Sequence, residues 1–117
     1  MDYPKLLQKI EVYKQSLTFP QDKRTIEAWE RTVKGSIVRA EVAKTDGVKE
    51  LLTHLKDKIQ KANFVLQQDR SLTLEERNRI FDRKDEQMWL ISFFEDAEKV
   101  VEGAQEKIDK DLEDLNK

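Results

Sequence analysis

His54 is the only histidine in the chain, with Glu50 four residues before it and Asp57 three after. On a helix these three would share a face, and such a trio could in principle hold a metal ion. A carboxylate-bridged site in a helical bundle needs Glu-x-x-His on two helices. Here Leu51 stands three before His54, so His54 reads as a solvated or partly packed side chain. Asp82, Asp85 and Glu86, then Glu95, Glu98, Glu102, Glu106 and Asp109, place carboxylates at helical spacing. Paired carboxylates do acid–base work only in a cleft that drives their pKa values apart. Many of these acids have a Lys or Arg at i±3 or i±4, such as Glu95–Lys99 and Glu106–Lys110, which marks a solvated helix face. With no cysteine there is no thiolate ligand, thiol nucleophile or disulfide. Gly-x-Gly-x-x-Gly, P-loop and serine-elbow motifs are absent. The expectation is a protein that is not an enzyme and holds no cofactor and no metal.

Two basic groups could touch phosphates: Lys23, Arg24, Arg31, Lys34 and Arg39, and then Arg77, Arg79, Arg83 and Lys84. They support an alternative reading as a nucleic-acid-associated or regulatory helical protein. Charge is uneven along the chain. Residues 1–70 carry 14 basic and 10 acidic side chains, and residues 71–117 carry 8 and 14. Neither half has the strong basic stripe of a nucleic-acid footprint, so nucleic acid is not the expected partner. The second group is interleaved with acids, and pairing with the acidic C-terminal segment accounts for the first.

The elements that position these residues are helices. Sustained period-two alternation is missing, and no proline follows Pro20. A first helix is expected over residues 4–17, with Tyr3, Leu6, Ile10, Tyr13 and Leu17 on one stripe. Residues 18–21 break it at Pro20. A second helix is expected over 22–67, with Asp22 as N-cap. Its stripe runs through Ile26, Trp29, Val33, Ile37, Ala40, Val48, Leu51, Leu55, Ile59, Ala62 and Leu66. Positions 26, 37, 48 and 59 repeat at intervals of eleven, close to the period of a straight helix. Asp46-Gly47 is a turn signal. Continuity through it is favoured because the phase survives, and a break is the alternative. Thr73-Leu74-Glu75-Glu76 forms a capping box that opens a third helix over 74–115.

The two long stripes align as an antiparallel hairpin. Leu66–Leu74, Ile59–Phe81 and Leu52–Met88 face one another in one half. Gly47–Phe94, Ala40–Val101, Ile37–Ala104, Val33–Ile108, Trp29–Leu112 and Ile26–Leu115 follow in the other. This register sets Lys23, Arg24 and Arg31 beside Lys117, Asp114 and Asp109. The fold expected is a single all-α domain over residues 1–117: a long, coiled-coil-like antiparallel helical hairpin with a short N-terminal helix, a three-helix arrangement.

Hydrophobic residues make up 38% of the chain and charged residues 39%. That balance suits long helices with a narrow apolar stripe. No run approaches the length of a membrane span, and Met1-Asp2-Tyr3-Pro4-Lys5 lacks the pattern of a secretory signal. A cytoplasmic location is expected, with no membrane partner. In general look the chain is similar to many phage-encoded accessory proteins and coiled-coil adaptors.

The first helix is short, and folded back it should cover the hairpin only near Ile26–Val33 and Ile108–Leu115. Trp89, Phe93 and Val100, with Val38 and Val42, would then stay exposed, and exposed apolar patches mark interfaces. The functional expectation is a structural or adaptor protein. It would act through helix–helix contacts with itself, as a homodimer or larger, and with another protein.

Overall fold

The computed structural model describes residues 2–116. They form five α-helices and no strand: α1 (Tyr3–Ser16), α2 (Pro20–Ala43), α3 (Asp46–Gln68), α4 (Leu74–Glu95) and α5 (Ala97–Leu115). The all-α class holds. The three-helix arrangement is corrected to five helices, because each long helix expected from the sequence is interrupted once.

Local chemistry explains the boundaries. Asp2 caps α1, its carboxylate accepting from the Lys5 N–H at 3.0 Å, an interaction worth about 1 kcal/mol. Pro20 is the first residue of α2, where its missing N–H costs nothing. Phe19 supplies the first carbonyl, to the Lys23 N–H at 3.2 Å. Asp22 therefore sits in the first turn and is not the N-cap. There it still favours the positive end of the helix.

The interruption between α2 and α3 is at Thr45, one residue before the Asp-Gly pair. Thr45 is extended (φ −70°, ψ 148°), and its hydroxyl donates to the Val42 carbonyl at 2.6 Å. A threonine hydroxyl bonded back into the chain competes with helix propagation. Helical bonding resumes at once, with Lys49 N–H on the Thr45 carbonyl at 3.0 Å. Gly47 lies inside α3 with no positive φ. A side chain added there would meet nothing within 4 Å, so Phe94 does not pack on its bare backbone. The second interruption, at Asp96, is milder. Its backbone stays in the right-handed region (φ −83°, ψ −10°).

The chain divides into two compact units, Met1–Ala40 with Asp96–Lys117, and Glu41–Glu95. In the first, α1, α2 and α5 share one core. It comprises Tyr3, Leu6 and Ile10 from α1, Val33, Ile37 and Ala40 from α2, and Ala97, Val101, Ala104 and Ile108 from α5. The α2 and α5 stripes are those the periodicity picked. The position of α1 differs from expectation. Its apolar residues join the cluster around Ile37, Ala40 and Val101, while Ile26, Trp29 and Leu112 are only partly buried and Leu115 is exposed. The cause is the connection. Leu17 leaves α1 extended, and Lys14 pairs with Glu30, so the first turns of α2 run past the end of α1. Lys9 on α1 takes Asp109 at 2.6 Å, the acid that the hairpin register had assigned to Arg31. Lys117 lies outside the described residues.

The second unit is a hairpin of α3 and α4. Its core is thin: Leu52, Leu55 and Ile91 are buried, with Val48, Ile59, Leu90 and Phe94 partly buried against them. The facing pairs Leu66–Leu74, Ile59–Phe81 and Leu52–Met88 are corrected here. Leu74, Phe81 and Met88 are exposed, and α4 instead turns Ile91, Leu90 and Phe94 onto that core. Apolar residues surround α4 on several sides, so periodicity does not fix its rotation. Arg77 helps to fix it. Its guanidinium donates to the carbonyls of Leu66 and Asp69, both at 3.2 Å, which draws that face of α4 onto the end of α3. Carbonyls at a helix end lack intrahelical partners.

Candidate interaction surface

Thr73 opens α4 as its spacing implies, its hydroxyl accepting from the Glu76 N–H at 3.1 Å. From that start α4 carries a largely unpaired apolar surface. Trp89 is 65% exposed. Its ring stacks on Phe93 at 5.3 Å between centroids, and Phe93 meets Phe94 edge-on at 5.2 Å. The three rings form a ladder along one helix, rigidified by contacts worth about 0.5–1.5 kcal/mol beyond area burial. Of the interface candidates, Trp89, Phe93 and Val42 belong to the α3–α4 unit, and Val38 and Val100 to the other. Val38, Val42 and Val100 are exposed, and Phe93 is half-buried.

Other exposed apolar residues were hidden by the assumed register. Leu74 is 75% exposed, Phe81 46% and Met88 48%, all on α4, and Phe64 on α3 is 64% exposed. The signal was present in the sequence as the strict seven-residue step 74, 81, 88. In the hairpin register that step falls on the inner stripe, which hides it.

The basic residues are dispersed. In the first unit Lys34 lies 3.8 Å from Glu30, Arg24 reaches the Pro20 carbonyl, and Arg39 donates to the buried Ser36 hydroxyl at 2.9 Å. Lys23 is half-buried and Arg31 exposed. In the second unit Arg77 caps α3, and Arg79 pairs with Glu75 at 2.7 Å. Lys84 sits 6.0 Å over the Phe81 ring, and Arg83 is exposed.

Polar side chains lie at surfaces apart from Glu30 and Ser36, which are buried. His54 is exposed, and no group of three or more potential metal ligands is gathered among the described residues. A hydrogen bond from Ser71 holds the Asp69 carboxyl below its ordinary range, and Lys9 does the same for Asp109. Lys14 lowers Glu11, and Glu11 in turn raises Lys14. These are ion pairs and a turn, with no cleft among them. The hollow lined by Asp85, Glu86, Trp89 and Leu90 belongs to one helix and is open surface. Among the described residues no helix is long and apolar enough to cross a membrane. The chain matches no protein-family model, no curated protein and no solved structure.

Proposed function

We propose that this chain is a non-enzymatic structural or adaptor protein that works by helix–helix association, first with copies of itself and then with a protein partner. The observation that carries the reading is the imbalance in the α3–α4 unit. Three residues are buried there, while Leu51, Phe64, Val65, Leu74, Phe81, Met88 and Trp89 are exposed. A small unit with so thin a core ordinarily needs oligomerisation or another staple. Large aromatics dominate interface energetics when they become buried, and Trp89 with Phe93 is the natural anchor.

Size exclusion with light scattering tests the reading. The expected mass is at least twice 13.9 kDa. The double change Trp89→Glu with Phe93→Glu is expected to lower that mass or to yield an aggregating chain. A wild type that stays monomeric at high concentration overturns self-association.

A further inference from the structure

We infer that α4 packs parallel and in register against α4 of a second copy along Leu74, Phe81 and Met88; this rests on the self-association proposed above. The three residues step by seven, so they lie close to one line of the helix, and an apolar line left uncovered by its own chain is a surface that a second helix can bury. All three are exposed, while the core shared with α3 takes Ile91, Leu90 and Phe94 from α4.

The charges beside this line identify its occupant. At 3.6 residues per turn, Lys84 lies about 60° to one side of Phe81 and Asp85 about 40° to the other. Neither forms an ion pair among the described residues, and the Lys84 ammonium rests over the Phe81 ring. When two helices pack in parallel, the left flank of one meets the right flank of the other. Lys84 then meets Asp85 of the second copy, and Asp85 meets its Lys84. Antiparallel packing brings like flanks together. Lys84 then has no acid of the other copy opposite it, and Asp85 lies near Asn78, so neither charge gains a partner. The seam therefore complements itself in sequence and in charge, and only when parallel. Opposite charges flanking such a seam set partner and orientation.

The chain has no cysteine, so single substitutions report single positions. Leu74→Cys, Phe81→Cys and Met88→Cys are each oxidised at low concentration, with Lys61→Cys on exposed α3 as control. A disulfide needs Cα atoms within about 7 Å. Covalent dimer at all three seam positions, with none at the control, is the expected result. Dimer at Phe81→Cys alone means antiparallel packing and overturns the inference. Dimeric mass by light scattering with no seam crosslink places the contact elsewhere, overturning the seam while self-association stands. A monomeric mass for wild type overturns both. The substituted sites are exposed, and unchanged circular dichroism confirms that each variant remains folded.

Discussion

Lys14 of α1 lies 3.4 Å from the carboxylate of Glu30 on α2, and Glu30 is buried. Lys14 also reaches Glu11 at 2.8 Å, and Lys34 approaches Glu30 from its own helix at 3.8 Å. A buried carboxylate left without a close donor costs its desolvation. Lys14→Met is expected to lower stability by about 1–3 kcal/mol, with Glu30→Gln costing less because it removes the charge. Urea unfolding of both variants checks this; equal costs would show that the charge of Glu30 does not matter.

Acid should act through the Lys9–Asp109 pair. The Asp109 carboxyl sits below its ordinary value of 3.8 because Lys9 donates to it. The unfolded chain binds the proton more readily, so stability is full above pH 3.8 and declines as pH falls through the lowered value. Asp69 and Glu11 act in the same sense. Lys14 is raised above 10.5, so its contribution is complete below that pH and is lost as pH rises through the raised value. Glu11 and Asp109 are exposed and Asp69 half-buried, so each acid effect is small. Melting temperatures of wild type and Lys9→Met should converge as pH drops below 3.8; a constant gap would remove the pair from the acid response.

Gly35, Gly47 and Gly103 all lie within helices and lack positive φ, and a Cβ at each meets open space. Alanine is the better helix former by up to about 1 kcal/mol. Each Gly→Ala change is expected to stabilise, least at Gly47 in the first turn of α3. The separated sites should add. Destabilisation at Gly35 or Gly103 in thermal melts would mean that something approaches those backbones in the assembled protein.

Arg77 joins the two helices of its hairpin through two backbone carbonyls. Arg77→Met keeps part of the packing and removes both bonds, and a loss of about 1–2 kcal/mol is expected. Thr73→Ala removes the cap of α4 and should cost about 1 kcal/mol. Hydrogen exchange should localise the Arg77→Met effect to the last turn of α3. Uniform loosening across all five helices would contradict a local role.

The helical class and most of the α1–α2–α5 core were legible because Val33, Ile37, Val101 and Ile108 repeat at helical spacing and are buried on one face each. The interruptions were not. Helix α2 ends where Thr45 turns extended, which periodicity does not register because the stripe keeps its phase on both sides. The rotation of α4 is not legible from periodicity because Leu74, Phe81 and Met88 make a cleaner stripe than the side turned to α3, which includes Arg77, bonded to the Leu66 and Asp69 carbonyls. Polar residues at inner positions are invisible to an apolar pattern. Trp89 and Phe93 lie outside the sequence stripe assigned to the hairpin, and in the structure Trp89 is exposed and Phe93 half-buried.

Every residue of the ten-member core formed by α1, α2 and α5 falls outside Glu41–Glu95. The α3–α4 hairpin is thus topologically an insertion, a single excursion that the chain makes and returns from without lending a side chain to that core. Turns could be added to or removed from α3 and α4 in step while the core of α1, α2 and α5 keeps its full complement of buried residues.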